Sequence, residues 1–161
     1  MSMITIEKAT ISDAKKLTEI KKRTFDEEVK KWLPNRDYVT DYNIQPPGYD
    51  SIEMTKYMIR ELEFYKILLD KEIVGGLIIT ISGKHYGRID RIFVDPDYQG
   101  KGIGSTVINL IEREFPIVRA WDLETSSEAL RHIGKKNKSM IAHACTGRCK
   151  TAYGYKWQYI K

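Results

Sequence analysis

Six residues, Gln99 to Gly104, place three glycines between an apolar run and an amphipathic stretch. The apolar run is Arg91-Ile92-Phe93-Val94, which has the composition of a buried strand. Glycine has no Cβ, so a backbone built from it can approach an anion closely. The first amides of a following helix have no partner inside that helix, and they point toward a negative group. The arrangement predicts a phosphate-binding loop that joins a strand to a helix.

The spacing of the glycines excludes two common phosphate-binding loops. A Walker loop needs Gly-Lys-Ser/Thr, whereas Lys101 is followed by Gly102. A dinucleotide fingerprint needs Gly-x-Gly-x-x-Gly, whereas Gly100, Gly102 and Gly104 recur at every second position. What remains is Gln99-x-x-Gly102-x-Gly104. This spacing resembles the Gln/Arg-x-x-Gly-x-Gly/Ala signature of the GNAT superfamily of N-acetyltransferases, whose loop binds the pyrophosphate of acetyl-coenzyme A.

The order of predicted elements extends the resemblance over residues 3–124. Alternation and β-branched content predict strands at Ile4 to Glu7, Phe64 to Leu69, Ile73 to Ile81, Arg88 to Val94 and Ile117 to Leu123. Helices are predicted after an N-cap at Ser12-Asp13, from Ser51 to Leu62, and from Ile103 to Phe115, where Pro116 ends the third. The GNAT resemblance implies an α/β (α+β) fold with a mixed, mainly antiparallel central sheet flanked by helices. A loop that only caps a helix in another mixed α/β protein is the alternative.

The resemblance also implies a co-substrate and its binding residues. Acetyl-coenzyme A is expected to lie against the strand end and the loop, at Ile92, Phe93, Val94, Gln99, Gly100, Lys101, Gly102, Ile103, Gly104 and Ser105. In the family pattern the strand before the loop splays away from its neighbour. The backbone amide of Val94 is then expected to polarise the thioester carbonyl, as an oxyanion-type donor does.

Transfer to an amine needs a base, because only about one molecule in 2,500 of a lysine-like amine is neutral at pH 7. Asp90 stands four residues before Val94, which predicts the same strand face, and it is the first candidate base. Its alternative role is an ion pair with Arg88 or Arg91. Glu124, at the end of the next predicted strand, is the second candidate, acting directly or through water.

Members of the GNAT family often have a tyrosine, as the general acid, on a helix after the fifth strand. This sequence has no position that matches that tyrosine. Tyr153 and Tyr155 are residues of the right type, and Tyr155 is the candidate for protonating the thiolate. Without such a residue the thiolate leaves unassisted or takes its proton from water.

The acceptor is the least defined part of the reaction. The stretch from Trp32 to Tyr49 falls where the family has a variable acceptor-site loop, and its aromatic and proline content predicts an ordered lid. Surface packing over the sheet is the alternative. Nothing in this stretch separates a small-molecule amine from a protein amine, and a homodimer through the sheet edge stays open.

The last residues differ in charge from the rest of the chain. Eight of the 27 Lys and Arg residues fall between Ala129 and Lys161, a stretch without Asp or Glu. The remainder carries 19 basic residues against 22 acidic ones. Such a basic tail is typical of proteins that contact polyanions. Two parts are therefore predicted, a GNAT-like core at residues 1–124 and a basic segment at residues 125–161.

Three interpretations of the basic segment stay open. The runs Ile133-Gly134-Lys135-Lys136 and Lys150-Thr151-Ala152-Tyr153-Gly154-Tyr155-Lys156-Trp157 resemble the small helical DNA-binding repeats of intron-encoded and homing nucleases, with helices predicted at Glu128 to Ile133 and Met140 to Cys145. This resemblance implies, as an alternative function, a DNA-binding protein with a catalytically weak GNAT-like scaffold. Alternatively the basic segment completes the fold, since Tyr153, Tyr155, Trp157 and Tyr159 alternate as in a strand. Zinc held by His143, Cys145, Cys149 and His132 is the third, although the spacing matches no standard site and no metal is expected.

Composition limits the remaining function classes. With 161 residues and 42% hydrophobic content, the chain can bury a substantial core. No apolar run approaches the length of a membrane span, and the first residues lack the regions of a signal peptide. Two cysteines suit a reducing compartment better than a disulfide framework, so a cytoplasmic protein is expected.

Overall fold

A computed structural model describes residues 2–32, 47–125, 149–151 and 154–160. In chain order the helices are α1 (Ala14–Trp32), α2 (Ile52–Glu61) and α3 (Ile103–Glu114). The strands are β1 (Ile4–Lys8), β2 (Glu63–Leu69), β3 (Glu72–Ser82), β4 (Tyr86–Val94), β5 (Ala120–Thr125), β6 (Cys149–Thr151) and β7 (Gly154–Ile160). They form one sheet in the order β1-β2-β3-β4-β5-β7-β6. The mixed α/β fold class is thereby confirmed.

Strand pairing is antiparallel throughout the sheet except between β4 and β5, which are parallel. The three consecutive antiparallel strands before the glycine loop are therefore confirmed, and Asp70 and Lys71 form the β2–β3 turn with positive φ angles of 49° and 74°. The start predicted for the fifth strand is wrong, because β5 begins at Ala120. Both Arg119 and Ala120 donate their N–H to the His85 carbonyl, which turns the chain before the strand starts.

The predicted N-cap of the first helix is also wrong. A 3-10 turn at Ile11–Asp13 precedes α1, and its N-cap is Thr10. The Asp13 carboxylate accepts the Thr10 N–H at 2.8 Å, so it closes the turn instead of capping α1. Helix α2 begins as predicted, because the Ser51 hydroxyl accepts the Met54 N–H at 3.2 Å.

Helices cover both faces of the sheet. On one face α3 inserts Ile103, Val107 and Ile111 into a core shared with the sheet. On the other face Leu17, Ile20 and Phe25 of α1 pack on the sheet, with α2 beside them. Both stripes follow helical spacing, which is why the sequence pattern predicts them. None of the helices in the described ranges combines the length and apolarity needed to cross a bilayer.

The basic segment contributes strands β6 and β7 to the same sheet. Strand β7 pairs antiparallel with β5, from Ala120 opposite Ile160 to Thr125 opposite Tyr155. The predicted alternation at residues 154–160 is thus confirmed as a strand, and it agrees with the interpretation in which the segment extends the sheet. Residues 126–148, including both predicted tail helices, His132, His143 and Cys145, lie outside the described residues, as does Tyr153. The division at residue 124 stays a prediction.

Gly75 sets how closely β3 and β4 approach each other, and we expect it to tolerate no side chain. A Cβ at this position would overlap the Phe93 carbonyl oxygen, which is backbone and cannot rotate away. Gly75→Ala should therefore lower the free energy of unfolding by about 3 kcal/mol, measured by urea denaturation. Gly104→Ala is the matched control, because none of the residues that the structure describes comes within 4 Å of its Cβ position. Equal stability of Gly75→Ala and the wild type would contradict this account.

Candidate active site

Strands β4 and β5 pair at one end and separate at the other. Their parallel register runs from Tyr86 opposite Ala120 to Ile89 opposite Leu123 and stops there. Strand β4 continues to Val94, and β5 continues to Thr125 paired with β7. Between residues 90–94 of β4 and residues 124–125 of β5, the described chain has no strand pairing. We call this gap the β4–β5 opening.

The backbone of Val94 is directed toward this opening. Asp95 donates its N–H to the Val74 carbonyl at 2.7 Å, and Gly75 stands opposite Val94 in the register. Hydrogen-bonded and non-hydrogen-bonded pairs alternate in an antiparallel ladder, so the Gly75–Val94 pair is of the second kind. The N–H and C=O of Val94 therefore point away from β3, and those of Ile92, two residues earlier, do the same. Both belong to the predicted cofactor-binding set.

Phe93 lies between them and is oriented the other way. Alternation directs its polar backbone atoms to Gly76 on β3. Its ring is buried between the sheet and α1, with ring centroids 6.1 Å from Phe25 and 6.4 Å from Phe64. Phe93 therefore supports the strand from the core and does not face the opening.

The glycine loop follows the opening directly and begins α3. Gly100 and Gly102 have φ angles of 78° and 77°, in the left-handed region that favours glycine. Gly102 is the N-cap of α3, and Gly104 lies one residue inside the helix. An added Cβ at any of these three glycines would meet no atom of the described residues within 4 Å. The surface above the helix N-terminus is therefore open to a ligand.

The other predicted loop residues have different surroundings. Ile103 is buried in the core beneath the loop, and Ser105 is exposed on the first turn of α3. Lys101 is exposed, with its ammonium 5.4 Å from the centroid of the Tyr98 ring. Gln99 donates its side-chain amide to the Val94 carbonyl at 2.9 Å. The Gln99 side chain thus ties the loop to the strand.

Helix α1 holds the strand end and the loop entrance from the other face. The Arg23 guanidinium forms an ion pair with the buried Asp95 carboxylate and lies 3.8 Å from Asp97. Asp95 also accepts the Asp97 N–H at 3.0 Å, which closes the short 3-10 turn before the loop. The Thr24 hydroxyl lies 3.2 Å from the Val94 carbonyl. These contacts fix the backbone on both sides of the position predicted to polarise the thioester.

A β-bulge interrupts β4 beside the opening. Ile78 stands opposite Arg91 and Ile79 stands opposite Ile89, so Asp90 is the extra residue on β4. A bulge of one residue reverses which face each later side chain occupies. Ile89 accordingly packs in the core on the α3 face, and so does Ile92, three residues later.

The bulge makes the predicted face of Asp90 wrong. Val94 packs on the α3 face, whereas the Asp90 carboxylate accepts a hydrogen bond from the Thr80 hydroxyl on the opposite face. The Arg88 Nε lies 3.3 Å from the same carboxylate. The ion-pair interpretation of Asp90 is thus confirmed for Arg88. Arg91 instead donates to the backbone carbonyl of Asp90, at 2.7 Å.

The two remaining catalytic candidates stand on the far side of the opening. Glu124 is the first β5 residue beyond the last β4–β5 pair, and it stands opposite Lys156 of β7. Tyr155 is the next β7 residue and stands opposite Thr125. Asp90, Glu124 and Tyr155 therefore lie at the same end of three neighbouring strands.

Most of the predicted acceptor lid lies outside the described residues, which resume at residue 47. Its last residue, Tyr49, donates its hydroxyl to the Asp26 carboxylate at 2.6 Å. The Tyr49 ring packs against Phe25, with centroids 5.9 Å apart. The end of the lid stretch is therefore attached to α1.

The sequence interpretation missed one unusual residue, Lys21. Its side chain is only 1% exposed, and its ammonium donates to the Thr55 hydroxyl at 3.0 Å. The Thr18 and Thr55 hydroxyls are 2.7 Å apart. Burial, and then repulsion from Arg91, lower the pKa of Lys21 to about 8, while attraction to Asp50 opposes the shift. Helical spacing was the available signal, because Lys21 follows the core residue Leu17 by four positions.

These features define a mixed α/β sheet in which two parallel strands separate next to a glycine loop at the N-terminus of α3. A model described as the acetyltransferase (GNAT) family matches residues 25–142, and the chain belongs to that family. An uncharacterized protein of Bacillus subtilis, YrkN, is 28% identical over 82 residues. That alignment covers 50% of this chain and 42% of YrkN, so the chain matches less than half of that relative's length.

Solved structures of similar fold come from several acetyltransferases. The PaiA N-acetyltransferase of Thermoplasma acidophilum, in complex with coenzyme A, has a TM-score of 0.72 at 17% identity, with 99% of each chain covered. The microcin C7 self-immunity acetyltransferase MccE, with acetyl-CoA and AMP, has a TM-score of 0.69 at 15% identity, covering 98% of this chain and 92% of that one. The aminoglycoside acetyltransferase AAC(6')-Ib, with coenzyme A and kanamycin, has a TM-score of 0.68 at 16% identity, covering 99% and 95%. At these identities the likeness concerns the fold.

Burial of Lys21 has a consequence for stability that depends on pH. The pKa falls from 10.5 in the unfolded chain to about 8 in the native protein, so the unfolded chain binds more protons between these values. The burial of Lys21 therefore lowers the free energy of unfolding less and less as the pH increases from about 8 to about 10.5. Lys21→Met should be more stable than the wild type by up to about 3 kcal/mol at pH 7, and the gain should fall to about 1 kcal/mol at pH 10.

Urea denaturation at pH 7 and pH 10 measures this difference. Lys22→Met is the matched control, because Lys22 is exposed and pairs with Asp26 at 2.8 Å on the helix surface. The control should leave the free energy of unfolding close to the wild-type value at either pH. The same effect of Lys21→Met at both pH values would show that the buried charge is not its cause.

Proposed function

We propose that this protein is an N-acetyltransferase that transfers the acetyl group of acetyl-CoA to a primary amine by direct attack in a ternary complex. The co-substrate would bind along the end of β4 and over the glycine loop. The amine would approach the thioester in the β4–β5 opening. A small-molecule amine and a protein amine are both compatible with this proposal.

The observation that carries the proposal is the open space over Gly104. This residue is helical, so it does not require a positive φ, and no atom in the described part of the chain would contact a Cβ there. The fold itself therefore does not require glycine at this position. A ligand lying on the helix N-terminus would require a small residue here, glycine or alanine, because its phosphates must approach the first amides of α3. Family membership and the coenzyme A complexes of the similar structures support the assignment of that ligand as acetyl-CoA.

The thioester would be polarised by the N–H of Val94, which points into the opening. Attack of the amine nitrogen on the carbonyl carbon places negative charge on the carbonyl oxygen, and a fixed N–H donor stabilises that charge. The anchoring of Val94 by Gln99 and Thr24 keeps the donor in place before the substrates arrive. When the carbon–sulfur bond breaks, the electron pair leaves with the sulfur as the thiolate of coenzyme A.

Two protons must move in this reaction. The attacking amine loses one, and we assign its acceptor as Glu124, directly or through a water molecule. Position supports Glu124, because it stands where β5 leaves β4, whereas the Asp90 carboxylate is bonded to Thr80 and Arg88. The thiolate gains a proton, for which we assign Tyr155 on the neighbouring strand.

Binding of acetyl-CoA can be tested by calorimetric titration with one blocking variant. Gly104→Leu should weaken binding by at least about tenfold, because the new side chain occupies the open space over the loop. Gly104→Ala is its control, with a methyl group that meets no neighbour and a helix propensity better than that of glycine. Both variants should unfold at or above the wild-type temperature. Lack of acetyl-CoA binding by folded wild-type protein would overturn the proposed function.

The base assignment is tested by comparing two carboxamide variants with an acceptor selected from an amine panel. Glu124→Gln should lower kcat by about 10²-fold and abolish the acidic limb of the pH–rate profile. Asp90→Asn should lower kcat by less than about tenfold and keep that limb. The Asp90 carboxylate is bonded to Thr80 and Arg88 at the bulge, and we expect it not to accept the proton of the amine. An unchanged pH profile in Glu124→Gln would assign the base elsewhere.

A further inference from the structure

Two side chains from different elements share one hydrogen-bond acceptor, the main-chain carbonyl of Val94. Gln99 in the glycine loop donates its side-chain amide to this oxygen at 2.9 Å. The Thr24 hydroxyl on α1 lies 3.2 Å from the same oxygen and 2.7 Å from the Ile20 carbonyl oxygen. Gln99 is therefore the closer donor, and the single hydroxyl proton of Thr24 is shared between two carbonyls.

This carbonyl belongs to the same residue as the N–H proposed to polarise the thioester. In an antiparallel ladder the N–H and C=O of one residue point to the same side of the strand. For Val94 that side is the β4–β5 opening, because the N–H of the next residue, Asp95, donates to Val74 on β3. A donor and an acceptor thus lie side by side where the acetyl group is proposed to bind.

A carbonyl that faced this opening without donors would oppose the reaction. Attack on the thioester places negative charge on its oxygen, and a second oxygen dipole directed into the same opening would repel that charge. Hydrogen bonds from Gln99 and Thr24 engage the Val94 oxygen and reduce this repulsion. They also hold the peptide plane after Val94 at its C=O, while the bond from Asp95 to Val74 holds the same plane at its N–H.

The contact to Val94 changes the role expected for Gln99. The family resemblance places Gln99 among the residues that bind acetyl-CoA, whereas here its amide nitrogen donates to β4. The amide oxygen of Gln99 is an acceptor only, so it cannot bond to an ionised phosphate oxygen. The free amides at the start of α3, which follows the N-cap Gly102, do not depend on this side chain. Binding of acetyl-CoA and geometry of the strand end can therefore be separated by mutation.

We propose that Gln99 and Thr24 are positioning residues for acetyl transfer, which hold the Val94 N–H toward the thioester oxygen and engage the Val94 carbonyl that faces the same opening. The inference rests on the proposed acetyltransferase function. It adds two side chains that act on the transfer step and not on the binding of acetyl-CoA. It also makes α1, through Thr24, a part of the site.

Polarisation of the thioester can be measured without an acceptor, by infrared difference spectroscopy of acetyl-CoA isotopically labelled at its thioester carbonyl. A hydrogen bond to a carbonyl oxygen weakens the C=O bond, so wild-type protein should lower the stretching frequency of bound acetyl-CoA relative to free acetyl-CoA. Gln99→Met and Thr24→Val each remove one donor at nearly constant side-chain size, and each should reduce this shift. Their calorimetric Kd values for acetyl-CoA should stay within about threefold of the wild type.

Kinetics with an acceptor selected from the amine panel provide a second readout. Gln99→Met should lower kcat by about tenfold and Thr24→Val by about fivefold, with KM for acetyl-CoA within about twofold of the wild type. The double variant should lose more than the product of these two factors. The reason is that in each single variant the remaining donor still engages the carbonyl, so the two effects are not independent.

Matched variants distinguish a positioning role from a structural one. Gln99→Arg and Thr24→Ser keep a donor, and each should retain kcat within about twofold of the wild type. Thr18→Val makes the same change at another buried threonine of α1, whose hydroxyl bonds to Ala14 and Thr55 instead of β4. It should leave kcat and the infrared shift at their wild-type values. Thermal unfolding shows which variants are native, and Gln99→Met replaces an exposed side chain that the core does not need.

The outcomes separate this inference from the proposed function. A wild-type infrared shift and kcat in native Gln99→Met overturn the inference, and so do equal losses of kcat in Thr24→Val and Thr18→Val or in Gln99→Met and Gln99→Arg. A loss of acetyl-CoA affinity by about tenfold or more in Gln99→Met, with the shift of the bound thioester unchanged, would make Gln99 a cofactor ligand and overturn it too. Acetyl-CoA bound to the wild type without a lowered frequency also overturns it and leaves the cofactor site intact. Failure of the wild type to bind acetyl-CoA overturns the proposed function first.

Discussion

The separation of β4 from β5 is the constraint on which the rest of the site depends. Two parallel strands that stayed paired would satisfy each other's backbone groups and leave no room for a ligand. Here pairing ends at Ile89 and Leu123, next to the bulge at Asp90. The backbone of Val94 then faces a gap instead of a strand. Only the short 3-10 turn at Pro96–Tyr98 separates Val94 from the glycine loop, so the gap and the helix N-terminus lie close together along the chain.

A backbone left without a strand partner must be held by other contacts, and α1 supplies several. Arg23 bonds the buried Asp95, and Thr24 approaches the carbonyl of Val94. The same helix carries Lys21 into the interior, where burial disfavours its charge. Contacts that stabilise the site and a group that destabilises the fold thus come from one helix.

Much of the fold was predictable because its determinants are local. Alternation located the strands and helical spacing located the core stripes of α1 and α3. The errors arose where a more distant contact decided the boundary. The Asp13 carboxylate closes a turn instead of capping α1, and the carbonyl of His85 delays the start of β5. The position of strand β7 in the sheet also depends on a distant contact. The alternation of aromatic residues indicated a strand, but only its pairing with β5 shows where in the sheet this strand lies.

The sequence by itself determined the glycine loop, because glycine spacing is a local property and fixes where a backbone has φ angles near 77° and no Cβ. Only the tertiary structure decided the catalytic surroundings. A single bulge reversed the face predicted for Asp90, since side-chain direction depends on strand register and not on sequence distance. Lys21 meets Thr55 and Arg91 only when α1, α2 and β4 pack together, so its burial and its lowered pKa are products of the fold.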